Sequence, residues 1–206
     1  MNIQENIDKQ IKDNVILVRK IESLLTKIDI MSENERDTLL AGFSRNTMSH
    51  FLSINILIEN KLYNSAFALV RIYFENIIKL KYMYYIMSDK QIEEMYKAIN
   101  WKKYFLTIGE MVDAIDKESK VVFYSPIKEK AYKMMNDYTH TGANQIARNF
   151  SESDAFIESN FSDELILDTL KNNKTLLKTS MVVFIESIGF ENKFISKDEM
   201  DAYLEW

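Results

Sequence analysis

The feature that most constrains this fold is an apolar stretch at residues 65–87, with the sequence SAFALVRIYFENIIKLKYMYYIM. It contains no Gly or Pro, and its apolar residues cover most faces of a helix, which predicts a long buried α-helix. Four charged residues interrupt it, and each would be costly at the centre of a bilayer. We therefore expect the core helix of a bundle rather than a membrane span, and no membrane partner. The charged residues are Arg71, Glu75, Lys79 and Lys81.

The rest of the chain also favours helices. Its 206 residues include only four Gly and one Pro, which is too few for a turn-rich β fold. No segment of convincing length alternates with period two. We predict an all-α fold without a sheet, a helical bundle of about six to eight helices. It forms a single domain over residues 1–206, made of an N-terminal amphipathic helix (1–31), a core (35–150) and C-terminal helices (162–206).

Capping motifs place the helix boundaries. Apolar residues stepping by three or four from Ile3 to Ile28 predict the first helix. Ser32-x-x-Glu35 starts a second helix that runs to about Asn60, and Ser88-x-x-Gln91 starts a fourth that runs to about Ile115. Later starts are predicted at Ser125-Pro126, Ala143, Ser162 and Ser196, and breaks at residues 139–142 and before Gly189.

Composition excludes several kinds of site. Cysteine is absent and there are two histidines, so disulfides, thiolate chemistry and a closed Cys/His zinc site are excluded. The four glycines are too scattered for a Gly-rich phosphate loop. We expect no metal and no cofactor. The polar start of the chain lacks the order of a signal peptide, which favours a cytoplasmic location.

The net charge of −5 gives no overall attraction to nucleic acid. The charge is uneven, however, because residues 60–105 carry a net +4 and residues 150–206 a net −7. The first segment predicts either a local basic surface or simply a solvated lysine face.

Two polar features of the sequence, a charged pair and a histidine, have alternative interpretations. Arg71 and Glu75 lie four apart on one helix face, either as a buried pair that serves a site or, with Lys79, as a solvent-facing stripe. His140 follows a helix C-terminus in NDYTHTG, where it either binds an anion and donates a proton or hydrogen-bonds the last helical carbonyls.

A third candidate is the Arg45-Asn46-x-x-x-His50 segment. His50 shares an apolar stripe with Phe43 and Ile54, and a single histidine on such a face is more often a core residue than a catalyst.

Two segments together, SHFLSINILIENKLYNSAFALVRIYFENIIKLKYM and MMNDYTHTGANQIAR, resemble a group of bacterial helical proteins. That group is similar to the HEPN proteins, which include abortive-infection and toxin proteins. The resemblance covers about residues 45–150. It implies a HEPN-like bundle, a homodimer and, for many HEPN proteins, metal-independent cleavage of RNA.

The resemblance also suggests roles for particular residues. The HEPN motif of Arg, a polar residue and a later His fits Arg45, Asn46 and His50, which would make Arg45 a phosphate clamp and His50 a proton-transfer residue. HEPN proteins normally carry this motif late in the core helices, whereas here it lies in the second helix. The recurring polar positions of the resembling group correspond instead to Arg71, Glu75 and His140, with Tyr138, Gln145 and Arg148 as ligand-binding positions.

Two functions therefore remain open. The first is a HEPN-like, metal-independent endoribonuclease that acts as an effector in phage defence or as a toxin. The second is a non-catalytic helical dimer that binds an anionic small molecule, a nucleotide or a partner protein. Both predict that Arg71, Glu75 and His140 meet in one polar pocket, with Arg148 at its rim.

Overall fold

The computed structural model describes residues 2–26, 34–140, 142–149, 160–190 and 195–204. Every regular element within these ranges is helical, which confirms the all-α prediction. The helices are α1 (Ile3–Leu25), α2 (Glu35–Glu59), α3 (Tyr63–Tyr85), α4 (Asp89–Tyr96), α5 (Ile108–Ser119), α6 (Tyr124–Ile127), α7 (Lys133–Thr139), α8 (Ala143–Ala147), α9 (Asp163–Phe184) and α10 (Lys197–Leu204). A π-helical turn, Lys128–Tyr132, joins α6 to α7, and another, Ile185–Phe190, extends α9.

The predicted apolar helix is α3, and it lies at the centre of the core. Phe74, Ile77, Ile78 and Leu80 have no exposed surface. Burying a large apolar side chain contributes roughly 1.5–3 kcal/mol, so this one helix supplies a large share of the hydrophobic stabilisation. Helices α2, α5, α7 and α9 all pack on it.

The turn between α2 and α3 makes the two helices antiparallel neighbours. Lys61 has a φ of 59°, the left-handed conformation that ends a helix. The amide of Leu62 then donates to the carbonyl of Leu57 at 2.8 Å. A polar contact also joins the two helices, because the side-chain amide of Asn76 in α3 donates to the Thr47 hydroxyl of α2 at 2.7 Å.

Buried polar contacts fix the two outer helices against this pair. Asn14 of α1 donates to the side-chain oxygen of Asn55 in α2 at 2.8 Å. The Tyr73 hydroxyl of α3 donates to the backbone carbonyl of Asn173 in α9, also at 2.8 Å. Because a buried polar group without a partner is costly, each contact specifies one register between its helices.

The predicted fourth helix, residues 88 to about 115, is wrong as a single element. The Ser88–Gln91 capping box is present, but α4 ends at Tyr96 and α5 begins at Ile108. Asn100 interrupts the helix because its side-chain oxygen accepts from the Lys102 amide at 3.0 Å, which offers the backbone a turn instead. Thr107 then caps α5 through a second capping box.

Other boundaries are close to the predicted ones. Ser162 and Ser196 cap α9 and α10 as expected. Asn34 is the N-cap of α2, whereas Ser32 and Ile28 lie outside the described residues. The helix expected at Ser125 begins one residue earlier, at Tyr124, because a side chain of α5 caps it.

No helix in the described ranges is long and apolar enough to cross a membrane.

Helix α3 also carries a buried cation. Lys81 has only 7% of its surface exposed, and its ammonium lies 5.4 Å from the Tyr124 ring centre. Burial lowers the pKa of Lys81 from 10.5 to about 8, and the charge of Glu186 offsets only part of this effect.

We predict that Lys81→Met stabilises the protein at pH 7 by on the order of 2 kcal/mol, because the folded state no longer holds a desolvated charge. Between pH 8 and 10.5 the unfolded wild type binds a proton that the folded wild type has lost, so wild-type stability rises with pH. The advantage of the variant should therefore shrink across that range.

Urea unfolding at several pH values measures this difference. Lys90→Met, at an exposed lysine, is the control and should show no comparable gain at pH 7. A variant advantage that stays constant from pH 7 to 10.5 would contradict the assignment of the effect to Lys81.

Candidate functional site

A carboxylate caps the start of the continuous helix that runs from α6 through the π-helical turn to α7, which we call the α6–α7 helix. Asp116 of α5 accepts from the backbone amides of Phe123 and Tyr124 at 3.2 and 3.1 Å, and from the Ser125 amide at 2.9 Å. The Ser125 hydroxyl donates to it at 2.7 Å. Burial raises the pKa of Asp116, but these hydrogen bonds outweigh burial and hold that pKa below its usual value. Asp116 therefore fixes where the helix starts.

The same helix presents three polar side chains at intervals of four residues. Tyr132, Asn136 and His140 lie on one face of this helix. Each of them contacts Arg71 or Glu75 of α3. His140 lies immediately after α7, and its amide still donates to the Asn136 carbonyl at 3.1 Å.

Arg71 and Glu75 form an ion pair on α3. Arg71 Nε donates to Glu75 Oε1 at 2.7 Å, and the side chains are only 18% and 23% exposed. The solvent-stripe interpretation is therefore wrong for this pair. Burial lowers the pKa of Arg71, but the hydrogen bond and the charge of Glu75 outweigh it and raise the pKa above its usual value.

The guanidinium of Arg71 has partners on α7 as well. Nη1 lies 2.7 Å from His140 Nε2 and also donates to the side-chain oxygen of Asn136. Nη2 makes a long contact of 3.4 Å with the Tyr132 hydroxyl, and the Arg71 guanidinium carbon lies 5.3 Å from the Tyr132 ring centre. The predicted meeting of Arg71, Glu75 and His140 is thus present in the structure.

Tyr132 completes the hydrogen-bond network around Arg71 by contacting Glu75. Its hydroxyl donates to Glu75 Oε1 at 2.7 Å, so this carboxylate oxygen accepts from both Tyr132 and Arg71. Burial and the Glu75 carboxylate together raise the pKa of Tyr132, which keeps the phenol protonated. We name these five residues, Arg71, Glu75, Tyr132, Asn136 and His140, the Arg71 cluster.

His140 is the exposed member of the cluster. Arginine has donors only, so in this contact His140 Nε2 is the acceptor. Among the described residues, the imidazole contacts Arg71 rather than the last carbonyls of the helix. Two residues later, Gly142 lets the chain turn closely, because a Cβ there would lie 2.9 Å from the Asp137 carboxyl carbon.

The other predicted ligand-binding residues point elsewhere. Tyr138 is buried between Phe67 and Phe161, with ring centres 5.2 and 5.8 Å away. Arg148 donates to the Asn160 carbonyl at 3.0 Å and stacks on Phe161. Among the described residues, neither side chain makes a hydrogen bond, ion pair or ring contact with Arg71, and the placement of Arg148 at the rim of the Arg71 cluster stays a prediction. Gln145 has a buried side-chain oxygen without a hydrogen-bond partner.

The second candidate set does not form a cluster. Arg45 and Asn46 are exposed on α2, and His50 is half-buried with a pKa lowered by burial. The side chains of Arg45 and His50 make no hydrogen bond or ion pair to any described residue.

Asn136 and Tyr132 were not predicted from the sequence. Their spacing of four and eight residues before His140 is the signal that would have identified them, since it places all three on one helical face.

Within the described ranges, no group of three or more His, Cys, Asp or Glu side chains is arranged to hold a metal ion.

We predict that Arg71→Ala lowers the free energy of unfolding by about 2–3 kcal/mol, because it leaves the half-buried Glu75 carboxylate without its counter-charge. Arg45→Ala, at an exposed arginine without partners in the described structure, should change it by less than about 0.5 kcal/mol. Urea denaturation followed by circular dichroism gives both values. Equal losses in the two variants would show that the Arg71 cluster does not stabilise the fold.

Comparison with known proteins gives one match. The sequence model of a family of unknown function, DUF6988, matches residues 45–189, which include the whole Arg71 cluster. No curated protein and no solved structure shows a significant match.

Proposed function

This chain belongs to the DUF6988 family, and from the Arg71 cluster we propose that it is a HEPN-like, metal-independent endoribonuclease. The observation that supports the proposal is the contact of 2.7 Å between the Arg71 guanidinium and the exposed imidazole of His140. An arginine and a histidine at this separation supply the charge and the proton acceptor that RNA cleavage needs without a metal.

The proposed reaction is attack by the ribose 2′-hydroxyl on the adjacent phosphodiester. The 2′ oxygen bonds to phosphorus while its proton passes to His140 Nε2. The bond between phosphorus and the 5′ oxygen breaks, and the leaving oxygen takes a proton from water. The products are a 2′,3′-cyclic phosphate and a 5′-hydroxyl. Because His140 is exposed, it returns its proton to solvent.

Arg71 has two roles in this scheme. In the free protein its Nη1 donates to the His140 Nε2 lone pair, which blocks that nitrogen as a base. A bound phosphate oxygen competes for the same guanidinium, which frees the imidazole beside the substrate and stabilises the developing charge. Glu75 and Asn136 keep the guanidinium oriented through this exchange.

The local charge supports an anionic substrate. Residues 60–105, which include α3, carry a net +4 although the whole chain carries −5. The proposal requires that the exposed lysines of this segment form one basic surface, to which a polyanion binds with an affinity that falls as salt concentration rises.

A second candidate function is a non-catalytic module that binds an anionic small molecule, a nucleotide or a partner protein. It is favoured by the ion pair with Glu75 at 2.7 Å, which compensates the charge of Arg71 and occupies one of its donors. This function needs only one bound anion and no extended basic surface.

The resemblance to abortive-infection and toxin proteins suggests the cellular role. We propose that the protein acts in the cytoplasm as an effector of phage defence or as a toxin, where cleavage of RNA stops growth. Expression of the active protein in bacteria would then be toxic, whereas a variant without the reactive imidazole would be tolerated.

We predict that the protein cleaves a fluorescent RNA oligonucleotide in the presence of EDTA, and that His140→Ala lowers the rate at least about 100-fold, since general acid–base catalysis contributes typically 10²–10⁴-fold. The chain has only two histidines, so His50→Ala is a matched control and should retain activity. Gel analysis of the cleavage products and a toxicity assay on expression give two separate measurements.

The two variants separate the candidate functions. Loss of cleavage in His50→Ala with retention in His140→Ala would move the active site to Arg45, Asn46 and His50. Binding of RNA or phosphate that depends on Arg71, without cleavage by the wild type, would favour the non-catalytic module.

We also propose that the protein is a homodimer with two-fold symmetry, the commonest closed arrangement of identical subunits. Large apolar side chains remain exposed on several helices, including Ile56 of α2 at 55% and Ile72 of α3 at 44%. Ile72 follows Arg71 in α3 and points about 100° further round the helix, so a partner over Ile72 would cover a face of α3 next to that of Arg71.

We predict that light scattering coupled to gel filtration gives about twice the chain mass of 24.3 kDa. Ile72→Glu introduces a charge into the proposed interface and should shift the protein towards the monomer, whereas Ile16→Glu on α1 is the matched control. A wild type that is monomeric at high micromolar concentration would refute the dimer.

A further inference from the structure

A cavity lies on the opposite side of α7 from the ion pair. It has a volume of about 530 Å³ and opens between the α6–α7 helix and α9, with α3 beneath it. This size falls within the range of 300–1,000 Å³ that is typical of small-molecule sites. None of the five residues of the Arg71 cluster lines it.

The wall of the cavity is mostly apolar. Phe67 and Val70 come from α3, Ile127 and Met134 from the α6–α7 helix, and Leu176 from α9. Such a wall favours an apolar occupant, because each buried CH₂ group contributes roughly 0.8 kcal/mol.

Two polar groups in this wall, the Tyr138 hydroxyl and the Asn173 side-chain nitrogen, have no hydrogen-bond partner among the described residues, and Asn173 is a donor that also has its backbone in use. Asn173 lines the cavity, has 2% of its surface exposed, and its side-chain nitrogen makes no hydrogen bond. Its backbone carbonyl is already used, since it accepts from the Tyr73 hydroxyl. A buried donor without an acceptor costs roughly 1–3 kcal/mol, and an acceptor atom on a ligand would remove that cost.

The charged residues of the lining balance each other. Lys130 of the π-helical turn and Asp168 of α9 are both exposed and carry opposite charges. The cavity therefore has no net charge to attract an anion or a cation, which favours a neutral ligand.

We propose that this cavity binds a neutral, largely apolar small molecule with one hydrogen-bond acceptor, such as the carbonyl oxygen of an ester, and that Asn173 donates to that acceptor. The hydrocarbon part packs against the α3 and α7 side chains. The site is independent of the Arg71 cluster and does not rest on RNA cleavage.

The test uses the full chain and Nile red, a neutral apolar dye whose fluorescence rises in an apolar site. Methyl decanoate should displace the dye at least about tenfold more effectively than decane, which has no acceptor, or decanoate, which is charged. Equal displacement by all three would overturn the proposed ligand class.

Two variants test the location. Ala131→Phe fills the cavity and should weaken displacement by methyl decanoate about tenfold or more, whereas Ala202→Phe on the exposed face of α10 should not. Retained affinity in Ala131→Phe would overturn the site.

Asn173→Leu tests the donor separately. It should reduce the preference for methyl decanoate over decane to about one, even if overall stability falls, because a ratio of two ligands on the same protein cancels a change in folded fraction. Circular dichroism confirms that each variant is folded. A preference that is unchanged in Asn173→Leu would overturn the role of its amide.

Discussion

The arrangement around the core follows from one constraint, which is that the most apolar helix of the chain carries an ion pair that is mostly shielded from water. Arg71 and Glu75 cannot reach bulk solvent fully, so their remaining hydrogen-bonding groups need partners. Tyr132, Asn136 and His140 supply these partners from one face of one helix. The docking of α7 on α3 is therefore specified by polar contacts as well as by apolar packing.

The fold was largely predictable from sequence because its signals are local. The apolar stretch at 65–87 and the Ser88, Ser162 and Ser196 caps all depend on residues within a few positions of each other. The break between α4 and α5 was missed because the Asn100 turn competes with an otherwise helical pattern. The start of α6 was misplaced by one residue because its cap, Asp116, lies on another helix.

The candidate site was predictable only in part. Arg71 and Glu75 stand out because they interrupt an apolar helix, and His140 because it follows a helix end. Tyr132 and Asn136 are ordinary residues for a half-buried helix. Their role is recognisable only from their contacts with Arg71 and Glu75 on α3. Arg148 was expected at the cluster from the resemblance, but it lies just after α8 and stacks on Phe161. Long-range placement of this kind is set by packing between helices, which no local pattern records.

The π-helical turn at Lys128–Tyr132 has a consequence for how this protein tolerates changes in length. Asp116 fixes the start of the α6–α7 helix, whereas the ion pair fixes its far end, and the wider turn between them accommodates one additional residue. Deleting a single residue there restores α-helical spacing and leaves the helix beyond it in phase with Asp116, whereas deleting one residue within α7 rotates everything beyond it by about 100°. An in-frame deletion of one codon in the π-helical turn therefore keeps the imidazole of His140 near its guanidinium, but the same deletion in α7 carries it away.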